Sequence, residues 1–215
     1  MRISTSRMAL INIVRTLPYA DVYLVGGPSG AGKTTFARIL AREKRGLLLP
    51  LDSYFVDEKD VHTSFSLQFG RGSQWDHPSS VDRDLAAQNI TELLDGRCAR
   101  MPIFSFTKNK RVGHRQHELL QHKSIIVEGV HALKLQSSIH EISRTVFGIF
   151  ITAAVDVRRS RIRRRDAQNR NRPLRDFERR FYFMRIAETR WILPQRRLAD
   201  LILDTTHGEF GVVDK

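Results

Sequence analysis

The chain is poor in cysteine, in acidic residues and in long apolar runs. It has one cysteine, Cys98, in 215 residues. A lone thiol cannot close an internal disulfide, so a secreted framework held by cross-links is excluded. No segment approaches the roughly 18 apolar residues that a membrane span needs. The N-terminal apolar run from Met8 to Val14 contains Asn12 and lacks a small-residue cleavage site, which reads as a short helix before the first strand and not as a signal peptide. A soluble, cytoplasmic protein with no membrane partner is the expectation. Asp and Glu number 23 against 36 Lys and Arg, a net charge of +13. Such a balance suits a nucleic acid, an acidic lipid or a polyanionic small ligand. Repeats and low-complexity linkers are missing too. The length fits one domain over residues 1–215, with a short lead-in at 18–21.

What is there is an alternation of apolar strands and helices. "DVYLVGG" is a buried strand over Val22 to Val25, and "KTTFARILAREKRG" follows with helical spacing and Gly46 as its expected C-cap. "LLLPLDSYF" reads as a second strand ending near Asp52. "VDRDLAAQNITELLDG" reads as an amphipathic helix stopped by Gly96. After a short extended piece, "RMPIFSFTKNKR", "HRQHELLQH" reads as a helical turn or loop. Strands follow at "SIIVEGVHAL" (Ile125 to Val127), "VFGIFITAA" (ending near Thr152) and "ADLILDTT", with a basic helix ("DVRRSRIRRRDAQNRNRP", stopping near Pro173) and a long helical stretch before Pro194 between the last two. This order predicts an α/β fold: a five-stranded parallel sheet with helices on both faces. In such sheets ligands sit beyond the carboxyl ends of the strands.

One motif stands at such an end. Gly27, Pro28, Ser29, Gly30, Ala31, Gly32, Lys33 and Thr34, with Thr35 after them, read "GPSGAGKTT" and match G-x-x-x-x-G-K-[ST] in full. The strand before and the helix after are the context the motif requires. Its glycines let backbone N–H groups turn towards phosphates, Lys33 reaches the β- and γ-phosphates, and the Thr34 hydroxyl takes Mg²⁺. The expected fold is therefore a P-loop NTPase, with ATP or GTP as phosphate donor and Mg²⁺ as metal. Asp52, at the end of the next strand, is placed to accept a proton from an attacking hydroxyl or to hold a water on Mg²⁺. Glu128, ending "IIVE", suits a metal-supporting role or the capping of helix N–H groups. Arg161 and Arg165 share one face of the basic helix, which could close over the nucleotide as a lid (residues 156–176). Arg170 and Arg172 fall at its far end, where a lid meets the acceptor.

The segments "GGPSGAGKTT", "LDSYF", "WDHPSSVD", "PIFSF", "IIVEGVHAL", "DVRRSRIRRRD" and "LPQRRLADLIL" resemble, in order, those of the uridine kinase family, within the phosphoribulokinase/uridine kinase group. The resemblance runs from about Val22 to Leu203. It implies transfer of the γ-phosphate of ATP (or GTP) to the 5′-hydroxyl of a pyrimidine ribonucleoside. By the same resemblance Asp52 is the catalytic base, Tyr54, in the same strand-end motif, binds the acceptor, and Asp76 binds the ribose 2′- and 3′-hydroxyls. Residues 54–110 become the acceptor-binding insertion, and Arg170 and Arg172 match lid arginines. Three departures concern the acceptor: Phe104 stands in the place of a Tyr, Asn109 in that of a His, and Arg180 in that of a Gln near the nucleoside. Phe106 completes the aromatic segment. Ile162 falls at a lid position that is often Arg.

Two other functions fit parts of the sequence. A kinase for another polyhydroxylated small molecule, such as a sugar, is motivated by the altered base segment. A nucleic-acid-binding NTPase is motivated by the charge, but the arginines cluster between Arg158 and Arg197 without the interleaved aromatic ladder that single strands stack on. A small-molecule acceptor and no nucleic acid is the expectation; self-association is left open. His114, His117 and His122 lack the spacing of a zinc set and read as surface residues. His131 is expected to pack, as are Trp191 and Phe183.

Overall fold

The structure is a computed structural model describing residues 5–61, 74–119, 122–140, 144–169 and 174–213. Helix α1 (Thr5–Thr16) precedes strand β1 (Val22–Gly26), every residue of which is buried. Helix α2 (Lys33–Glu43) and strand β2 (Gly46–Pro50) follow. Helix α3 (Arg83–Leu94), the hairpin β3 (Ala99–Ser105) and β4 (Lys110–His117), and strand β5 (Ser124–Glu128) come next. Helix α4 (Gln136–His140) leads to β6 (Val146–Thr152) and the basic helix α5 (Val155–Asn169). Helix α6 (Phe177–Ala187), β7 (Leu201–Asp204) and β8 (Gly211–Val213) complete the order.

The main sheet runs β2-β5-β1-β6-β7-β8. The first five strands are parallel, as the sequence predicts; the sixth, β8, is antiparallel to β7 and was not expected. It is three exposed residues long, too short and too wet to leave a hydrophobic pattern. Alternate side chains of the central strands divide into two cores. Leu24, Leu49, Val127 and Phe150 pack with Ile90 and Leu93 of α3 on one face. Tyr23, Val25, Ile149 and Ile151 pack with Leu10 and Val14 of α1 and Phe36 and Leu40 of α2 on the other. Burial on both faces is what makes these strands read as continuous apolar runs.

Four local readings are corrected. Strand β2 ends at Pro50, and Asp52 lies in a 3₁₀ turn, Leu51–Tyr54. Proline cannot donate to a ladder, and β2 is an edge strand where that costs least. Gly46 is not a helix cap: Arg45 takes the left-handed conformation (φ 52°), while Gly46 begins β2 because a Cβ there would lie 1.9 Å from Ile126 Cδ1. Residues 99–117, expected as a short extended piece and the start of a helical turn or loop, form one antiparallel hairpin, closed by Asn109 at φ 48°. The long helical stretch expected before Pro194 is present but is not one α-helix: α6 passes into a π-helical turn, Glu188–Ile192, and a 3₁₀ segment, Leu193–Leu198.

Among the described residues, no helix is long and apolar enough to cross a membrane.

Candidate active site

The loop between β1 and α2 forms a cradle. Gly27 has φ 129°, and a Cβ on it would lie 2.0 Å from the Ile151 carbonyl oxygen; only glycine permits that approach. Gly32, at φ 97°, caps α2 and lets its first N–H groups face the loop. The Lys33 ammonium is buried and donates to the Pro28 carbonyl oxygen at 3.1 Å. Burial lowers its pKa, while Glu128, Asp52 and Asp76 act in the opposite direction.

Beside the cradle lies a cleft of about 480 Å³. Ser29, Lys33, Thr34, Thr35, Asp52, Asp76 and Glu128 all line it, so the strand-end carboxylates meet the P-loop as the topology predicts. Thr34 donates its hydroxyl to Glu128 Oε1 at 3.1 Å. Burial, and then the Asp52 charge, raise the Glu128 pKa. Two hard oxygen donors side by side beneath the phosphate cradle suit Mg²⁺, which keeps several waters and takes few protein ligands. Among the described residues no cluster of three or more His, Cys, Asp or Glu side chains forms a fuller metal site.

Asp76 enters from the loop over residues 74–80. Burial pushes its carboxyl up to about 6, with Lys33 opposing the shift and Asp52 adding to it. His131, expected to pack, does more. It is fully buried, its Nε2 lies 3.0 Å from the Asp76 carbonyl oxygen, and Gln195 Nε2 approaches its Nδ1 at 3.5 Å. Gln195 also donates to the carbonyls of Val130 and Trp191. Burial pushes the His131 pKa down to about 3, so the ring stays neutral, and Nε2–H is the donor to the Asp76 carbonyl. His77 shapes the loop, its Nδ1 accepting from Ser79 N at 3.1 Å, and its ring meets Trp191 edge-on at 4.6 Å. Trp191 thus braces the loop and is only partly buried.

An aromatic wall closes one side of the cleft. Phe55, Trp75, Phe104 and Phe106 all line the cleft and meet edge to face, with centroids 5.2 Å apart for Phe55–Trp75 and 5.5 Å for Phe104–Phe106. Asn109 also lines the cleft but gives its amide to Glu58 Oε2 at 3.2 Å. Tyr54 departs from expectation: it is fully buried in the core, and its hydroxyl donates to Asn89 Oδ1 at 3.0 Å. The 3₁₀ turn sends Asp52 and Phe55 into the cleft and Tyr54 away from it.

On the arginine side, Arg165 and Arg180 line the cleft. Arg180 pairs with Asp166 Oδ2 at 3.3 Å, and Arg165 with Asp166 Oδ1 at 3.6 Å. Arg161 turns to the outer side of the P-loop, donating to the Gly30 carbonyl at 3.2 Å and to Thr205 Oγ1 and O at 2.8 Å. Arg161 and Arg165 share a smaller hollow there with Gly30 and Gly32, as their spacing predicts. Ile162 packs on Phe177 and Phe181 instead of facing the cleft. Arg170 and Arg172 lie outside the described residues.

Sequence reasoning missed several residues that build this site. Phe55 and Asp166 are adjacent to singled-out residues, and only the turn and helix geometry shows that they face the cleft. Arg158 and Glu188 form a buried bidentate ion pair, 2.9 and 2.8 Å, and Arg158 also donates to the Ser29 carbonyl of the P-loop at 3.3 Å. Thirty residues separate that pair in sequence, and no local pattern joins them.

Comparison with known proteins agrees with this geometry. The family model described as "Phosphoribulokinase / Uridine kinase family" matches residues 22–209. The uridine kinase of Serratia proteamaculans is 28% identical over 187 residues, covering 83% of this chain and 84% of that protein. The uridine kinase of Ligilactobacillus salivarius is 28% identical over 184 residues, covering 83% and 82%. Among solved structures, the YGR205w protein superposes with a TM-score of 0.64 at 11% identity over 99% of this chain and 98% of that one, a likeness of fold alone. With a P-loop, strand-end carboxylates and a family match spanning nearly all its sheet, the chain is a P-loop kinase that belongs to the phosphoribulokinase/uridine kinase family.

Proposed function

We propose that the protein transfers the γ-phosphate of ATP or GTP to the 5′-hydroxyl of a pyrimidine ribonucleoside. The observation that carries this reading is the single cleft in which Lys33, Asp52 and Asp76 meet four aromatic rings. Carboxylates beside a P-loop suit a hydroxylated acceptor, and an aromatic wall next to them suits a planar base on that acceptor.

Each residue has a role in this mechanism. The P-loop amides and Lys33 bind the triphosphate. Thr34 and Glu128 would hold Mg²⁺, which supplies charge neutralisation at the phosphates when bound. Asp76 accepts hydrogen bonds from the ribose diol and so fixes the primary hydroxyl. Asp52 takes the proton from that hydroxyl as it attacks. Arg165 and Arg180, held by Asp166, offer positive charge where the phosphoryl group travels, and Arg161 closes the outer side of the loop. Excluding water matters, because water in the place of the acceptor would hydrolyse the nucleotide unproductively.

The test is an acceptor panel with ATP and Mg²⁺, read as nucleoside diphosphate release and as phosphorylated product. Uridine and cytidine should be turned over. Turnover of a free sugar with none of either nucleoside would replace this reading with that of a sugar kinase. Salt-sensitive RNA binding with acceptor-independent hydrolysis would replace it with a nucleic-acid-dependent NTPase.

A further inference from the structure

We infer that Glu188 is a positioning residue for phosphoryl transfer: from one π-helical turn it fixes the P-loop through Arg158, while Trp191 of the same turn fixes the loop that carries Asp76, so a single element holds donor and acceptor in register. The inference rests on the phosphotransferase reading above and does not depend on which acceptor the cleft takes.

The donor end begins at the P-loop backbone. A Cβ on Gly30 would lie 2.9 Å from the Arg158 carbonyl oxygen, so α5 lies directly on the loop. From there the buried Arg158 guanidinium reaches three elements. Its Nε donates to the Ala153 carbonyl, just beyond β6, at 2.9 Å. Its Nη1 donates to the Ser29 carbonyl at 3.3 Å. Nη1 and Nη2 together donate to the two Glu188 carboxylate oxygens at 2.9 and 2.8 Å. A trans peptide sends its C=O and N–H in opposite directions, so holding the Ser29 carbonyl aims the Gly30 N–H away from the guanidinium. A bidentate carboxylate permits one orientation of the guanidinium plane. Glu188 is itself buried, and Arg185 also donates to its Oε1. The carboxylate thus sets the fork, and the fork sets a peptide of the phosphate cradle.

The acceptor end is Trp191, in the same turn, Glu188–Ile192. Its ring meets that of His77, the neighbour of Asp76, edge-on at 4.6 Å. Its carbonyl accepts from Gln195 Nε2 at 3.0 Å, and the same nitrogen donates to the Val130 carbonyl at 2.9 Å. Beside that contact His131 holds the Asp76 carbonyl. Turns of π type concentrate at functional sites, and here one directs Glu188 to the P-loop side and Trp191 to the Asp76 loop. Phosphoryl transfer needs the two reactants aligned, and a misplacement of about 1 Å can cost a hundredfold in rate.

Trp191 itself reports on the turn. The chain has two tryptophans, so Trp75→Phe leaves Trp191 as the one fluorophore of its kind. Saturating Mg–ATP should change its emission with no acceptor present. Glu188→Gln in that background should abolish the change, while calorimetric ATP affinity stays within about tenfold. With uridine as acceptor, Glu188→Gln should lower kcat by about tenfold to a hundredfold and change both KM values far less. Arg158→Lys keeps the charge but not the fork and should behave alike. The double variant should be no slower than the slower single one, because both break one link. Glu188→Asp should recover part of kcat. Should Glu188→Gln fail to fold, Arg158→Lys is read in its place in both arms. A Trp191 emission that ignores Mg–ATP in the parent, or a response that survives the substitution, overturns the inference. So does a kcat within about twofold of wild type, which leaves the pair as a contact that only stabilises the fold. Wild-type protein that turns over neither uridine nor cytidine overturns the nucleoside reading, and the fluorescence arm alone then decides the inference.

Discussion

Replacing Asp76 by asparagine removes a carboxylate whose pKa burial has pushed up from 3.8 to about 6. A raised acid pKa means that the native state holds the proton more tightly than the unfolded chain. Between these two values the native state binds more protons, so stability falls as pH rises and the full cost is present above about pH 6. A shift of about two units corresponds to roughly 3 kcal/mol, and relaxation of a cleft open to water reduces this to about 1–3 kcal/mol. For a chain of this length that is a Tm increase of roughly 2–10 °C for Asp76→Asn at pH 7.5, shrinking towards zero near pH 4. Thermal unfolding of both proteins across pH 4–8, in the absence of ligands, reads this difference directly. The same substitution should raise the KM for the acceptor, and the wild-type KM should itself climb as pH drops below about 6 and Asp76 protonates. An Asp76→Asn protein that melts at or below the wild type at pH 7.5, or whose gain does not depend on pH, would refute the reasoning.

Three other perturbations probe separate parts of the structure. Asp52→Asn should lower kcat by about 10²–10⁴-fold, the usual contribution of a general base, while equilibrium nucleotide binding is retained; near-normal turnover would remove Asp52 from proton transfer. Arg158→Met leaves Glu188 buried with Arg185 still paired to it. It should destabilise the fold by about 1–3 kcal/mol in chemical denaturation, and an unchanged stability would show that the pair is not the link between α5 and the π-helical turn that its geometry indicates. His131→Leu deprives the Asp76 carbonyl of its donor. A lost buried hydrogen bond of ~1–3 kcal/mol should appear as a roughly tenfold higher acceptor KM with the ATP KM unchanged, and His131→Asn should recover part of it.

The residues of the phosphate cradle were legible because their determinants are local. Three glycines, a lysine and two threonines within nine residues dictate where the backbone N–H groups point, whatever surrounds them. The five parallel strands were legible for a related reason: burial on both faces leaves an unbroken apolar run. Helix α3 announced itself through its apolar spacing and through Gly96, which takes φ 74°. From these, the carboxyl edge of the sheet and the meeting of Asp52 and Glu128 with Lys33 follow by topology alone.

The acceptor side was not legible to the same degree. Tyr54 and Phe55 are neighbours in one motif, yet one is core and the other wall; a single 3₁₀ turn decides which. The four rings of the wall come from three segments of the chain, and "QWDHPSS" is fixed against the cleft only once His131, Gln195 and Trp191 hold it in place. Asp166 reads as one more charge on a basic helix until the fold brings Arg180 against it. The sequence by itself determined the sheet, the nucleotide cradle and the class of chemistry, because each of these is written in contiguous residues or in a period. The tertiary structure alone decided which side chains face the cleft and what holds the loops around it, because those depend on contacts between segments tens of residues apart, and no local pattern encodes them.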